Sequence, residues 1–501
     1  MGESASLPVA NRRDPHEGVK VFRDYRGPVR DDCDVIVVGS GPGGAVVAKE
    51  LAELGHDVVL LEEGPPFGVK DFVLEAGLSM RRTMREAGMR AARGSAFMPT
   101  MQAIALGGGS LINSAICVRP PAWVFDRWRE AHGTTFGLEE LVPHFARVES
   151  FLHIAPTPVE VLGERNLLFK KACDNLGISS EPISRNVKGC KGSGECLTGC
   201  RAEAKQSTDV SYVPAAIRRG ARVYTSVRAE KVILDGRKAT GVAGRVVEPF
   251  SWKDGQEVVI HARKAVVLAA GVMATPLILM RSKGGEGPSG HVGRNLQFHP
   301  GTAIMGIFDH DVDPWFGATQ GYQSLHYLRE GFKLEVLWSP PAILATRFPG
   351  FGHEFQHHLS RFRRMAPFDV IVSATKSFGT VKARSGSWDP DLRYEMHPDD
   401  VKTMHKGVLV MRDMMWAAGA KSIITGIHGV PAEIQSPEES RALDTLDFKP
   451  DLATVAGNHV MGTTRMGKDP KTSVVDSDGR CHHTENLYVS DTGVLPMSPA
   501  V

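Results

Sequence analysis

The chain has 501 residues, of which 23% are charged, and its formal net charge at pH 7 is +2. Such a balanced charge creates no field strong enough to hold nucleic acid or an anionic membrane surface, so neither is predicted as a partner. The length exceeds that of one typical hydrophobic core, so two or more domains are expected.

Composition also bears on where the protein resides. Residues 1–30 are polar, mixed in charge and without the apolar core of a secretory signal, which predicts a flexible N-terminal arm. The longest apolar run, residues 265–280, is shorter than the ~20 residues that span a bilayer, so no membrane span is predicted. Seven cysteines in a chain of this length indicate a reducing compartment, and a cytoplasmic location is predicted.

Residues 34–64 predict a strand, a turn, a helix and a second strand. Residues 35–38 form a β-branched apolar run suited to a strand that is buried on both faces of a parallel sheet. The helix is predicted to end at Gly55, a residue suited to a left-handed end cap. A second apolar strand then covers residues 58–61. This order of elements is typical of a nucleotide-binding α/β unit.

Glycines and one acid in this unit predict what it binds. Gly39, Gly41 and Gly44 have the G-x-G-x-x-G spacing, which allows a sharp turn, close approach of backbone N–H groups to a pyrophosphate, and close packing of the helix. Glu62 ends the second strand, where a carboxylate can accept hydrogen bonds from both hydroxyls of an adenosine ribose. Together these features predict dinucleotide binding. The alternative is an α/β core with an ordinary glycine-rich turn.

A second glycine-rich loop follows at residues 105–113. Three adjacent glycines before a hydroxyl and an amide make a backbone-lined loop, which is suited to lie against a flat ring or a phosphate. A flexible turn is the alternative. The residues concerned are Gly108, Gly109, Ser110 and Asn113.

The pattern of predicted secondary structure changes twice in the middle of the chain. In residues 222–267 apolar and polar side chains alternate, and glycines interrupt the pattern, which predicts strands in a meander. The apolar run that follows predicts a buried strand ending at Gly271, which would bring another loop to the same cofactor. Residues 302–447 lose the strand–helix alternation and gain aromatic residues, histidines and long helical stretches such as residues 398–418. They predict a second domain that covers the substrate.

Three cysteines lie close together in the sequence, at Cys190, Cys196 and Cys200. A soft-metal site needs thiolates brought together by short loops, but three ligands without a nearby fourth fall short of a closed zinc or four-iron site. Structural thiols that hold no metal are therefore predicted, and an iron–sulfur cluster is the alternative.

His353, Glu354 and His357 form a His-Glu-x-x-His pattern, which is typical of zinc peptidases. Two histidines four residues apart share one face of a helix, and the glutamate could act as the base. With 19 histidines in the chain such a match arises readily by chance. A zinc peptidase is therefore kept only as an alternative function from another class.

Four separated stretches agree with one family: the nucleotide unit, GGGSLIN, AAGVMATPLIL from Ala269, and HVMGTTRMG together with NLYVSDTG. In this order they resemble the glucose-methanol-choline (GMC) family of FAD-dependent oxidoreductases, from about residue 32 to the last residue. VGRNLQFHP also resembles the segment that leads into the family's substrate domain. The resemblance implies a GMC-type alcohol dehydrogenase or oxidase that acts on the CH–OH group of a small-molecule alcohol. Oxygen or an external carrier would accept the electrons.

The resemblance also implies the fold. An α/β, Rossmann-like FAD-binding domain would be assembled from residues 31–140, 205–301 and 448–501. An α+β substrate domain with an antiparallel sheet, formed by residues 141–204 and 302–447, would cap the flavin.

Individual positions follow from the same match. His459 corresponds to the active-site histidine beside flavin N5, where it would accept the hydroxyl proton as hydride leaves the carbon; an ordinary histidine pKa of about 6.5 suits this role. Ala229 would contact adenine through its backbone. The GGGSLIN loop and the region of Asp491 and Thr492 would lie along the pyrophosphate and the flavin.

This sequence departs from the family pattern in two places. CKGSGECLTGC resembles GMC branches that act on bulky or long-chain alcohols and, more loosely, an iron–sulfur dehydrogenase branch, but Arg201 stands where proline is usual. The run LPMSPAV continues in the family into Asn-Pro or an equivalent histidine segment and a closing helix, whereas this chain ends at Val501. A flavin binder with little turnover is therefore a further alternative.

Overall fold

A computed structural model of the protein describes residues 17–501. Its strands form one eight-stranded sheet, one seven-stranded sheet and three smaller sheets. None of the helices in this part of the chain has the length and apolar composition needed to cross a bilayer. The α-helices are Pro42–Glu53, Ala76–Thr83, Gly109–Ile112, Ala122–His132, Leu138–Phe151, Glu164–Leu176, Tyr212–Arg218, Ala274–Arg281, Pro341–Ala345, His353–Ser360 and Pro398–Ala418.

The eight-stranded sheet contains the predicted strand–turn–helix–strand unit. Strand Val29–Val38 leads into helix Pro42–Glu53 and pairs in parallel with strand Val58–Leu61. Alternate side chains of these strands enter two separate buried clusters, because the sheet is covered on both faces. Across the sheet the strands are Val19–Lys20, Arg222–Tyr224, Val58–Leu61, Val29–Val38, Asp254–Leu268, Lys238–Val247 and Val227–Asp235, and Leu487–Val489 also pairs with Asp254–Leu268.

The flexible arm predicted for residues 1–30 is wrong for the residues that the structure describes. Val19–Lys20 pairs in parallel with residues 223–224. The buried Tyr25 donates a hydrogen bond from its hydroxyl to the carbonyl of Thr225 at 2.8 Å. Residues 17–30 thus complete an edge of the eight-stranded sheet and lead into its central strand. Residues 1–16 lie outside the described part of the chain.

The seven-stranded sheet is antiparallel throughout, as predicted for the second domain. One face is apolar: Phe332 and Leu334 belong to a buried cluster with Met404 and Met411 of helix Pro398–Ala418. This helix has the bounds that the sequence predicts. Across the sheet the strands are Glu433–Ile434, Ser422–Ile424, Gly301–Ile307, Met365–Val372, Phe332–Val336, Tyr322–Ser324 and Glu181–Pro182.

The opposite face of the same sheet carries polar and charged side chains. Gln323 is paired with Glu335, and Glu335 with Asp369, so these three residues form one row across the strands. Lys333 lies two residues before Glu335 and therefore points to the same side. We call Gln323, Lys333, Glu335 and Asp369 the charged face. A mixed α/β fold with a Rossmann-like sheet and a separate antiparallel sheet confirms the predicted fold class.

Candidate active site

A cavity of about 330 Å³ opens where the central strands of the eight-stranded sheet end. The N-terminus of helix Pro42–Glu53 borders it, and unpaired N–H groups of a helix N-terminus attract phosphate oxygens. Predicted cofactor residues that line the cavity are Gly39, Gly41, Glu62, Gly108, Gly109, Ala229, Gly271, Asp491 and Thr492.

The glycines of the first loop have different roles. Gly39 has a φ of +102°, and a Cβ there would be 2.2 Å from the carbonyl oxygen of Ala269, so both the turn and the packing require glycine. A Cβ on Gly44 would be 1.9 Å from the carbonyl oxygen of Gly39. At Gly41, by contrast, the nearest atom is the Cα of Gly108 at 3.9 Å. A side chain at Gly41 would fit against the protein but would project into the cavity.

Glu62 joins the two glycine loops. One carboxylate oxygen accepts hydrogen bonds from the backbone N–H and the hydroxyl of Ser40, at 3.0 and 2.6 Å, and the other accepts from the N–H of Gly64 at 2.8 Å. The Ser40 hydroxyl in turn accepts from the N–H of Gly107 at 2.9 Å. Burial raises the pKa of Glu62, while these hydrogen bonds oppose the rise. Glu62 therefore orders both loops besides lining the cavity.

Asp491 holds two further loops at the cavity. Its Oδ2 accepts from the N–H of Gly271 at 3.0 Å and from the Thr275 hydroxyl at 2.6 Å, and its Oδ1 accepts from the N–H of Gly493 at 2.7 Å. Burial raises the pKa of this carboxyl. The predicted approach of the Gly271 loop to the cavity thus depends on a carboxylate that is 220 residues away in sequence.

Gly44, Ser110 and Asn113 do not line the cavity. Ser110 donates to the carbonyl of Gly107 at 2.6 Å, and Asn113 accepts from the N–H of Ala115 at 3.1 Å. Both side chains therefore shape the second glycine loop from behind. A direct contact of these side chains with a cofactor stays a prediction.

His459 lies between two residues that line the cavity, Asn458 and Val460, but its own ring points toward His299. The two Nδ1 atoms are 3.1 Å apart, and Nε2 of His299 is 2.7 Å from the hydroxyl oxygen of Ser498. The strands that carry the two histidines pair through residues 297–298 and 460–461. A line of three hydrogen-bonding side chains therefore leads from His459 to the buried His299 and Ser498.

The surroundings keep the histidines neutral. Burial, and then the positive charge of Lys333, lower the pKa of His459, while the charge of Glu335 opposes this. Burial lowers the pKa of His299 well below its ordinary value, and His459 and Lys333 add to this. His459 lies deep in the protein, but its side chain is accessible to solvent. The ring therefore faces open space inside the molecule. A neutral, accessible imidazole can accept a proton.

A family model described as GMC oxidoreductase matches residues 70–301, and a second one with the same description matches residues 375–501. A model described as an NAD(P)-binding Rossmann-like domain matches residues 37–92. An uncharacterised GMC-type oxidoreductase of Mycobacterium tuberculosis is 34% identical, over 97% of this chain and 76% of the relative. The chain belongs to the GMC oxidoreductase family. The resemblance found in the sequence motifs is confirmed.

Other relatives and solved structures agree with this assignment. A long-chain-alcohol oxidase of Arabidopsis thaliana is 28% identical, over 97% of this GMC oxidoreductase and 67% of the plant protein. The crystal structure of pyridoxine 4-oxidase from Mesorbium loti superposes with a TM-score of 0.69 at 19% identity and covers 94% of this chain and 96% of that one. Formate oxidase from Aspergillus oryzae superposes with the same TM-score at 18% identity over 95% and 96%. At such low identity the superpositions show the fold.

The cysteine trio of this GMC oxidoreductase surrounds buried cations. The fully buried guanidinium of Arg185 donates to the sulfur of Cys196 at 2.9 Å and faces that of Cys190 at 3.9 Å. The buried ammonium of Lys205 donates to the carbonyl of Cys196 at 2.6 Å. Burial raises the pKa of Cys200, and the charge of Lys205 opposes this. The absence of metal at the trio stays a prediction.

The zinc-peptidase pattern does not form a site in the described part of the chain. His353, Glu354 and His357 lie on one short helix, as predicted, and all three are exposed. Between residues 17 and 501 no group of three His, Cys, Asp or Glu residues is placed to hold a metal ion. Membership of an oxidoreductase family also argues against this alternative.

Sequence analysis missed several residues of the site. His299 is 160 positions from His459 and lies in the VGRNLQFHP stretch, which the sequence analysis noted but did not connect to the site. Trp388, which lines the cavity, is held by the guanidinium groups of Arg281 and Arg228 at 4.0 and 5.3 Å from its ring. Only its position in a Gly- and Pro-flanked loop singles it out, and that signal is weak. Cavity residues that were not predicted include Arg85, Gln102, Val227, Trp388 and Asn458.

Proposed function

We propose that the protein is an FAD-dependent oxidoreductase that oxidises the CH–OH group of a small-molecule alcohol to a carbonyl. The electrons pass to oxygen or to an external acceptor. The observation that carries this proposal is the position of His459, a neutral imidazole flanked on both sides by residues that line the glycine-bordered cavity. The family and its alcohol-oxidising relatives point to the same chemistry.

The residues around the cavity suit FAD. A helix N-terminus and six glycines provide a cradle for a pyrophosphate, and the open side of Gly41 leaves the space that a bound nucleotide needs. Glu62 lies at the end of the second strand, where a ribose is expected. When bound, FAD supplies the acceptor for the hydride that leaves the alcohol carbon.

His459 is the base in this proposal. The proposal uses one of the two tautomer arrangements that satisfy this line: Nδ1–H of His459 donates to Nδ1 of His299, and Nε2–H of His299 donates to the hydroxyl oxygen of Ser498. Nε2 of His459 then carries a lone pair and can accept the proton of the substrate hydroxyl. His299 and Ser498 fix the orientation of this ring. The lowered pKa of His459 leaves it unprotonated near neutral pH.

The experiment that tests the function is the visible spectrum of the purified protein. Oxidised-flavin bands are expected, and these bands should bleach without oxygen when an alcohol substrate from a panel of sterols, sugars, long-chain and aromatic alcohols is added. Absence of flavin bands after purification and reconstitution with FAD would overturn the cofactor assignment. Flavin that binds but bleaches with none of these alcohols would favour the alternative of a flavin binder with little turnover.

A further inference from the structure

The charged face of the seven-stranded sheet lies next to the two histidines. Strand Gly301–Ile307 begins two residues after His299, and its first residue pairs with Ile371 of the neighbouring strand. A Cβ on Gly301 would be 3.3 and 3.5 Å from the two carboxylate oxygens of Asp369. The carboxylate of Asp369 thus packs against the backbone that carries His299.

The electrostatic effects on the two histidines agree with this proximity. The charge of Lys333 lowers the pKa of both His299 and His459, and the charge of Glu335 raises that of His459. The interaction between charges weakens with distance, so Lys333 and Glu335 lie near the two histidines. The charged face and the proposed base are therefore close neighbours in the fold.

Most of the charged face is internally paired. The ammonium of Lys333 is 2.9 Å from the carboxylate of Glu335, and both side chains are almost completely buried. The side-chain amide of Gln320 also donates to Glu335. These contacts hold the centre of the face in one arrangement.

Gln323 and Asp369 are the exceptions among residues 17–501, because a side-chain oxygen of each is buried without a partner, and Asp369 is the ionisable one of the two. It is 9% exposed, and its Oδ1 is buried without a hydrogen-bond partner among residues 17–501. Burial raises the pKa of this carboxyl to about 8, Arg347 and Lys333 lower it, and Glu335 raises it further. Buried polar groups almost always have partners, so an unpaired one next to a reaction site needs an explanation. A substrate group that hydrogen-bonds to Asp369 provides one.

We propose that Asp369 is a specificity-determining residue that binds a second hydroxyl group of the substrate, so that the enzyme prefers polyhydroxylated alcohols to unbranched alkyl alcohols. This inference rests on the proposed function. A hydrocarbon chain laid along this face would leave buried polar groups unpaired, which is costly. A cationic group would meet Lys333 and Arg347, whereas a neutral hydroxyl can both donate to and accept from a carboxyl group.

The test compares three alcohols of equal chain length on the FAD-loaded enzyme: hexane-1,2,6-triol, hexan-1-ol and 6-aminohexan-1-ol. Anaerobic flavin reduction gives the rate constant divided by the dissociation constant for each. The triol is expected to exceed hexan-1-ol by about 10-fold or more, as one satisfied buried hydrogen bond predicts. Preference for hexan-1-ol or for the amino alcohol would overturn the proposal.

Variants sharpen the test. Asp369→Leu should reduce the preference for the triol by about 10- to 100-fold, whereas Asp369→Asn, which keeps hydrogen-bonding capacity, should retain most of it. The matched control is Asp400→Asn, because Asp400 is equally buried but its Oδ2 already accepts from Ser377 and Lys376 at 2.6 and 3.1 Å. An unchanged preference in Asp369→Leu would contradict the proposal.

A second readout separates this inference from the proposed function. Binding of the triol is followed by the change that it causes in the spectrum of the oxidised flavin, which requires no turnover. If no alcohol reduces the flavin but the triol binds in an Asp369-dependent way, the proposed function fails and the inference stands. If alcohols reduce the flavin but triol binding is the same in Asp369→Leu, the inference fails and the proposed function stands.

Discussion

The cofactor cavity and the charged face both lie near the same two histidines but are built in different ways. The cavity is bordered mainly by backbone of glycine loops, with Glu62 and Asp491 fixing those loops from behind. The charged face consists of side chains on rigid strands. Backbone N–H groups of glycine loops suit the phosphates of a cofactor, whereas side chains on strands can change without disturbing the fold. Cofactor binding and substrate choice should therefore respond to separate mutations.

The largest expected effect concerns the cavity alone. Gly41→Val should abolish FAD retention in a folded protein, because the side chain would project into the cavity without clashing with the chain. Flavin content and circular dichroism of the purified variant measure this. Gly43→Ala is expected to disturb folding instead, since its Cβ would be 1.7 Å from the carbonyl oxygen of Ser490. Gly27→Val, with no atom within 4 Å, serves as the harmless control. Normal flavin content in folded Gly41→Val protein would refute the prediction.

His459 links the two regions, and its loss should leave both intact. His459→Ala should retain FAD but slow flavin reduction by roughly 10²- to 10⁴-fold, the usual contribution of one acid–base group. Since the pKa of His459 is lowered, the wild-type rate at limiting substrate should stay high down to pH values below about 6.5 and fall only as the imidazole becomes protonated. Stopped-flow absorbance across pH measures both. An unchanged reduction rate in the variant would remove His459 from the mechanism.

A variant of Trp388 tests whether side chains that line the cavity also contribute to FAD binding. Trp388→Ala should weaken FAD affinity by about 10-fold, because an aromatic ring contributes on the order of 1 kcal/mol by stacking. Titration of the apoprotein with FAD, followed by flavin fluorescence, measures the dissociation constant. Trp416→Phe, a change on the helix behind the seven-stranded sheet, is the control and should have no effect. Equal affinity in Trp388→Ala and wild type would show that the loops alone hold the cofactor.

The buried carboxyl of Asp369 in the charged face should lower the free energy of unfolding. The pKa of Asp369 is about 8 in the folded protein and about 3.9 in an unfolded chain. Between these values the folded state keeps a proton that the unfolded state has released, so the free energy of unfolding falls as pH rises from about 4 to about 8. Asp369→Asn removes the ionisable group and with it this pH-dependent loss of stability. The variant should be more stable near pH 8, by on the order of 1 kcal/mol or more.

Urea unfolding at pH 4 and pH 8 measures this effect. The gain should be much smaller at pH 4, where the folded carboxyl is fully protonated and the unfolded one is about half protonated. A gain that is the same at the two pH values would show that Asp369 does not retain its proton in the folded protein.

The smallest expected effect lies in the cysteine trio, none of whose residues lines the cavity. Cys196→Ser should leave flavin content and flavin reduction unchanged, because the sulfur of Cys196 accepts a hydrogen bond from Arg185 and a serine hydroxyl can do the same. Elemental analysis of anaerobically prepared wild-type protein should show no stoichiometric iron. Near-stoichiometric iron that is lost in Cys196→Ser would establish a cluster and overturn the prediction.

The sequence alone determined the nucleotide unit, its glycines and the family. These features are local: a buried parallel strand needs a β-branched run, the turn at Gly39 needs a positive φ, and each signal occupies a few adjacent residues. The helix over residues 398–418 was equally predictable, because its pattern is long and uninterrupted. The edge strand Val19–Lys20 was not, since two residues carry no periodicity and their pairing partner is 204 positions away.

Only the tertiary structure decided which polar residues act together. His299 reaches His459 because two short strands pair across 160 residues, and the charged face exists only when three strands align in register. A one-residue shift in that register would turn Asp369 into the apolar core and Phe368 toward the histidines. The cofactor half of the site follows from local backbone requirements that a sequence records directly. The substrate half follows from long-range pairing, which no short stretch of sequence contains.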